Sequence, residues 1–181
     1  MATHLGPVLV TREQIAARVA KLGQQITRDF SLPHVPEGGK VVVVPIMTGA
    51  MIFCADLIRH MPLRLRIGTL RVSSYPGAAT TSRGVKMLEA SLGEICGRHV
   101  LLVDDILDSG TTLTTVMPHL HKMGAASVRC CVLLRKDRPD ALATKVDYVG
   151  FDIPDEFVVG YGLDYDDYYR NLPEIAVLKV E

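Results

Sequence analysis

Neither sign of charge predominates in this chain: 20 Lys and Arg balance 20 Asp and Glu among 181 residues. No global field draws it to nucleic acid or to an anionic membrane, and neither is expected as a partner. Long apolar runs are also missing. The longest, residues 41–47, is interrupted by Pro45, whereas a membrane span needs roughly 20 apolar residues. The N-terminal Met-Ala-Thr-His-Leu-Gly-Pro has neither the basic segment nor the apolar stretch of a secretory signal, so a cytoplasmic protein is expected. Cysteine is sparse: Cys54, Cys96, Cys130 and Cys131 form no C-x-x-C pair and match no zinc spacing. They are expected to be inert thiols, with Cys130 and Cys131 on opposite faces of a strand. His119 and His121 lie two apart on a predicted helix and share no face, so zinc is not expected either. Internal repeats and low-complexity tracts are absent.

What the chain does have is an ordinary globular balance: 48% hydrophobic and 22% charged residues, over a length that suits one domain with a sizeable core. Thr11 followed three residues later by Gln14 reads as a capping box. Ile15, Val19, Leu22, Ile26 and Phe30 then form one apolar helical stripe, and Pro33, Pro36, Gly38 and Gly39 mark the loop that ends it. Residues 40–48 are a continuous Val-rich run, as expected of a strand buried on both faces. Gly49 opens a second helix carrying Ile52, Phe53, Leu57 and Ile58, which Pro62 stops, and residues 63–72 alternate like a half-buried strand. Residues 73–89 show no apolar period and read as a long loop, a length that is usually functional.

Further strands are predicted over residues 99–106 and 127–135, with a helix at 111–123 that Pro118 should kink or shorten. Shorter runs follow at 148–153, 157–161 and 175–180. Strands alternating with helices imply an α/β domain around a mainly parallel sheet flanked by helices. Ligands bind at the carboxyl ends of such strands, so the loops after Thr48, Ile106 and Arg135 should meet on one edge.

The most informative stretch is Val100-Leu-Leu-Val-Asp104-Asp105-Ile-Leu-Asp108-Ser109-Gly110-Thr111-Thr112-Leu113. An apolar strand delivers two adjacent carboxylates, a short turn adds a third, and Ser-Gly-Thr-Thr opens a helix. The turn and helix start supply unpaired N–H groups and a positive dipole end, suited to a phosphate. Ser109, Thr111 and Thr112 add hydroxyls, and Gly110 permits close backbone approach. The G-x-x-x-x-G-K-[ST] spacing is absent, so a terminal monophosphate fits better than a nucleoside triphosphate. The adjacent acids suit ribose hydroxyls or, through water, Mg²⁺. A bare helix cap would need one acid, not three acids and three hydroxyls within residues 104–112.

Val-Asp-Asp-Ile-Leu-Asp-Ser-Gly-Thr-Thr resembles the phosphoribosyl pyrophosphate-binding motif of type I phosphoribosyltransferases, and the resemblance continues through most of the chain from about residue 40. It is closest to the hypoxanthine–guanine branch. The resemblance implies one domain, residues 1–181, with a small purine-binding hood mainly in residues 150–181 and a mobile lid over residues 73–89. It implies that Asp104 and Asp105 hold the ribose, that Asp108 is the catalytic proton-transfer group near purine N7, and that Ser109 to Thr112 bind the 5-phosphate. Lys136 aligns with the lysine that hydrogen-bonds purine O6, and Asp152-Ile-Pro-Asp-Glu-Phe157-Val158 resembles the hood. Phe157 is then expected to stack on the base and Val158 to read its edge through the backbone. Asp164 is expected to coordinate Mg²⁺ and Arg170 to contact pyrophosphate, with Asp166 and Asp167 as solvated neighbours. Met47-Thr48-Gly49-Ala50 matches the pyrophosphate loop, with a cis peptide expected between Met47 and Thr48. Thr48 stands where many relatives have Lys, and Ala50 where many have Gly. Ser74-Tyr75 matches the Ser-Tyr pair of the lid.

The activity implied is transfer of 5-phosphoribosyl from phosphoribosyl pyrophosphate to N9 of hypoxanthine or guanine, with Mg²⁺, by a homodimer or homotetramer. Two alternatives remain at this level: an RNA-binding attenuator on the same fold and a non-catalytic nucleotide sensor. The ranking of hypoxanthine, guanine and xanthine is not readable from the residues.

Overall fold

A computed structural model describes residues 3–31, 40–74 and 85–180. The loop residues Pro33, Pro36, Gly38 and Gly39 and most of the expected lid, including Tyr75, lie outside them.

The apolar run after residue 40 becomes β2 (Val41–Met47), the centre of a seven-stranded sheet. On one side it pairs in parallel with β6 (His99–Leu107), which pairs in parallel with β7 (Ser127–Lys136), and that with β8 (Tyr148–Ile153). The other side of β2 carries β3 (Leu65–Ile67) and β4 (Thr69–Ser74), also parallel, and β5 (Val85–Ser91) pairs antiparallel with β4. The α/β architecture with a mainly parallel sheet is thus the one expected.

Both faces of the sheet are buried, and the period of two sorts the side chains between two layers. Val41, Val43, Leu101 and Val103 face α1 (Arg12–Phe30) and α2 (Met51–Arg59). Val42, Val44, Val100 and Leu102 face α3 (Thr111–Lys122). Cys130 falls in the second layer and Cys131 in the first, opposite faces as expected. Both are fully buried, and burial raises both thiols above the ordinary range. The α1 capping box is present in both directions: Thr11 N–H donates to Gln14 Oε1 at 2.8 Å, and Gln14 N–H to Thr11 Oγ1 at 3.3 Å.

Several expectations need correction. The single strand read over residues 63–72 is two strands on different stretches of β2, separated where Gly68 N–H donates to Val43 O. Part of the loop read over residues 73–89 is strand instead: β4 continues to Ser74 and β5 begins at Val85. Pairing between them slips by one residue: Arg71 faces Glu89 but Val72 faces Met87. The bulge shifts the alternation phase, which hid the strand. The first element is not α1 but β1 (Thr3–Val10), whose burial pattern is irregular and whose pairing carries two register shifts. Pro118 sits inside α3 without shortening it; the carbonyl it leaves without a helical donor belongs to exposed Thr114. A short α4 (Pro139–Ala143), with Pro at its start, was not foreseen.

A second sheet has the order β1-β10-β9, with β9 (Val158–Val159) and β10 (Ile175–Val180), all antiparallel. It draws on both ends of the chain, not only on residues 150–181. No described helix is long and apolar enough to cross a membrane.

Candidate active site

The direction of winding reverses between β2 and β6: the chain moves outward from β2 through β3 and β4, then returns to β6 and proceeds through β7 to β8. A crevice opens at such a switch point. Here it is a cleft of about 370 Å³, lined by residues 46–49 at the end of β2, residues 104–113 at the end of β6 and the start of α3, and Asp164 and Arg170.

β6 delivers Asp104 and Asp105 to the cleft floor. Asp104 is 6% exposed. Burial, then the Asp105 charge beside it, holds its carboxyl well above the usual carboxylate range, and burial raises Asp105 as well. Asp105 N–H donates to Asp104 Oδ1 at 3.2 Å, and Ile106 N–H to Asp105 Oδ1 at 2.8 Å, so both carboxylates are held by the backbone. The turn that follows uses Gly110 at φ +76°, a left-handed conformation that an L side chain disfavours, to bring the first N–H groups of α3 toward the cleft. Ser109 Oγ and Thr111 Oγ1 are 2.9 Å apart, and Thr111 and Thr112 are half-buried beside them.

The peptide between Met47 and Thr48 is cis. Thr48 is exposed and Ala50 fully buried at the start of α2. Gly49 packs so closely on Asp105 that an added Cβ would lie 2.6 Å from its Cγ. On its other side the Gly49 carbonyl is in close contact with Gly162. The Gly49 backbone is therefore packed between the Asp105 carboxylate and the Gly162 backbone.

A model of the phosphoribosyl transferase domain matches residues 9–166. The chain belongs to this family. Hypoxanthine-guanine phosphoribosyltransferase of Mycobacterium tuberculosis is 43% identical over 173 residues, covering 94% of this chain and 85% of the relative. Hypoxanthine phosphoribosyltransferase of Haemophilus influenzae is 39% identical over 181 residues, covering 100% and 99%. Among solved structures, a hypoxanthine-guanine phosphoribosyltransferase from Bacillus anthracis superposes with a TM-score of 0.86 at 36% identity, covering 98% of this chain and 100% of that one. The chain is thus a transferase of the hypoxanthine–guanine branch.

Asp108 links the cleft to ion-pairing residues at the end of β7 and after β8. Asp108, 50% exposed by its side chain, accepts from Arg138 Nη1 at 2.8 Å and lies 3.5 Å from Lys136 Nζ. Lys136 is only 12% exposed and also reaches Asp155 at 3.1 Å. This is not the free surface lysine that a strand end usually carries. Phe157 is 48% exposed, so it is no core aromatic; its ring meets Tyr165 edge-on, centroids 5.7 Å apart. Val158 is buried and paired with Val177 in the small sheet, which fixes the backbone beside Phe157. Ser74 lies at the end of β4, opposite Val85.

Elsewhere on the cleft lining, Arg170 Nη2 pairs with Asp164 Oδ1 at 2.8 Å and Nη1 donates to Gly162 O at 2.8 Å. Asp167 was expected to be a solvated neighbour. It is exposed, but its N–H donates to Asp164 Oδ2 at 2.9 Å and its carboxylate pairs with Arg170 at 2.9 Å. Sequence reasoning also passed over Arg138 and Asp155, which form ion pairs with Asp108 and Lys136. Their only sequence signal is position: each stands within two residues of an expected contact.

Proposed function

We propose that the chain transfers 5-phosphoribosyl from phosphoribosyl pyrophosphate to N9 of hypoxanthine or guanine, giving IMP or GMP and pyrophosphate, as a step of purine salvage. The observation that carries this reading is the pairing of Asp108, which lines the cleft beside the 109–112 turn, with the largely buried Lys136. A carboxylate and an ammonium 3.5 Å apart match adjacent N7–H and O6 on one purine edge.

In this reading the 109–112 turn binds the 5-phosphate through N–H groups and hydroxyls. Asp104 and Asp105 accept the ribose hydroxyls; a pair that retains a proton readily repels the polyanionic substrate less than two full charges would. The backbone of Thr48 and Gly49 and the guanidinium of Arg170 face the pyrophosphate. As N9 bonds to C1, the C1–oxygen bond breaks with its electron pair on pyrophosphate, and the N7 proton passes to Asp108. Lys136 donates to O6, which adenine lacks. Phe157 stacks on the base, and Val158 presents its backbone to the base edge. Ser74 stands at the end of β4, where the expected lid begins.

Among the described residues no group of three or more His, Cys, Asp or Glu could hold a metal by itself. Mg²⁺ rarely needs one: it keeps its waters and binds through one or two carboxylates plus substrate phosphates. Asp164, at the cleft and partly exposed, fits that donor set. Mg²⁺ there would neutralise charge on the departing pyrophosphate. We read the whole chain as one domain, the three-stranded sheet being the hood, and place it in the cytoplasm as a homodimer or homotetramer.

The test is pyrophosphate release with phosphoribosyl pyrophosphate and Mg²⁺, run in parallel on hypoxanthine, guanine, xanthine and adenine. Turnover with hypoxanthine or guanine but not adenine is expected. Turnover with adenine alone, or with no base, would reject the reading.

A further inference from the structure

Asp108 has two cationic neighbours, and both address the same oxygen: Arg138 Nη1 at 2.8 Å and Lys136 Nζ at 3.5 Å from Oδ1. The same two cations also share Asp155, Lys136 at 3.1 Å from Oδ1 and Arg138 Nε at 3.6 Å from Oδ2. Two positive and two negative groups thus alternate around the base end of the cleft.

The two cations are not equivalent. A lysine is a point charge on a flexible stem, whereas a guanidinium offers five donors in a fixed plane and can hold two carboxylates at once. Their backbones differ as well. Arg138 is pinned at the junction of β7 and α4: its N–H donates to Lys136 O at 2.8 Å, its carbonyl accepts from Leu142 N–H at 2.9 Å, and Pro139 follows at the first helical position. If Lys136 turns to a purine O6, as the proposed function requires, Asp108 loses one counter-charge just when it must accept a proton.

We propose that Arg138 is a positioning residue for Asp108: it stays on Oδ1 while Lys136 exchanges Asp108 for the base, and so keeps Oδ2 aimed at N7. Asp155 completes the device by tying Arg138 and Lys136 to the segment that presents Phe157. The inference rests on the proposed function and deepens it, since it names what holds the proton acceptor once the specificity lysine is engaged.

The experiment compares the native protein with R138A, R138K and R138Q, by single-turnover nucleotide formation from hypoxanthine and by KM for phosphoribosyl pyrophosphate. Arg138 is partly exposed, so the variants should fold, and thermal unfolding of each checks this. Displacing a catalytic group by about 1 Å costs on the order of 100-fold, so R138A should slow the chemical step about 10- to 100-fold. Its KM for phosphoribosyl pyrophosphate should barely move. R138K, which keeps the charge but loses the planar fork, should recover only part of the rate, and R138Q, which keeps donors without charge, should recover less. A native rate in R138A, or equal rescue by glutamine and lysine, overturns the inference while leaving the function intact. No turnover by the native protein removes the functional reading and the inference with it.

Discussion

Replacing Gly49 with alanine would place a methyl group against the carboxylate of Asp105. The added Cβ would lie 2.6 Å from Asp105 Cγ and nearer still to Oδ2, where unbonded carbons settle at about 3.5–4.0 Å. Something must therefore move by about 1 Å. If the carboxylate turns away, it gives up the 2.8 Å bond from the part-buried Ile106 N–H, at a cost of about 1–3 kcal/mol. If the 47–49 turn retreats instead, it presses on Gly162, whose backbone already touches the Gly49 carbonyl. Either route displaces a group assigned to ribose or pyrophosphate, and a shift of that size costs on the order of 100-fold in rate. G49A should thus lose about 1–3 kcal/mol in urea unfolding and about 100-fold in kcat/KM for phosphoribosyl pyrophosphate. The decisive control is the D105A background, where the methyl has room. There the stability penalty of the alanine should shrink by at least about 1 kcal/mol, as contacting residues couple in double-mutant cycles. Native stability in G49A, or the same penalty in both backgrounds, would refute the close-packing argument.

Asp108→Asn keeps the shape of the proton acceptor but removes its basicity; kcat should fall about 100- to 10,000-fold with a much smaller rise in KM, and equal change in both would sink the assignment. Phe157→Ala should raise KM for hypoxanthine while leaving KM for phosphoribosyl pyrophosphate unchanged, because the ring, packed edge-on against Tyr165, keeps half its surface open to a base; a shift in both would argue that it merely supports the fold. Asp104 is held above its unfolded value, so the folded state binds more protons than the unfolded one and stability falls as pH rises from about 4 toward the raised value. Asp104→Asn should therefore gain stability relative to the native protein across that window even as it loses activity, and urea midpoints at a series of pH values would expose a gain that stays constant instead.

Where a residue's role depends on its own strand or helix, the sequence was enough. The stripe Ile15 to Phe30 and the run 99–106 each carry their pattern in adjacent letters, and both became the elements expected. The 104–112 stretch was legible for the same reason: strand, acids, turn and helix start follow one another, so their meeting in space needs no tertiary information. The antiparallel strand β5 was not, because its pairing with β4 contains a bulge and the alternation changes phase within it. Nor was β1, which has meaning only against β10, some 170 residues away.

The same distinction explains what was missed at the site. Arg138, Asp155 and Asp167 are ordinary surface letters, and each acquires a partner only when loops from different elements converge. The exposed pairs of Arg138 contribute little to stability, a median of about 0–1 kcal/mol each, so fold stability gives scant reason to add a second cation to Asp108. Catalysis gives a stronger one. A proton acceptor must be aimed, and the neighbour that reads the base must remain free to let go of it. Two cations on one carboxylate oxygen, one fixed by a helix start and one on a flexible stem, satisfy both demands in a chain whose net charge is zero.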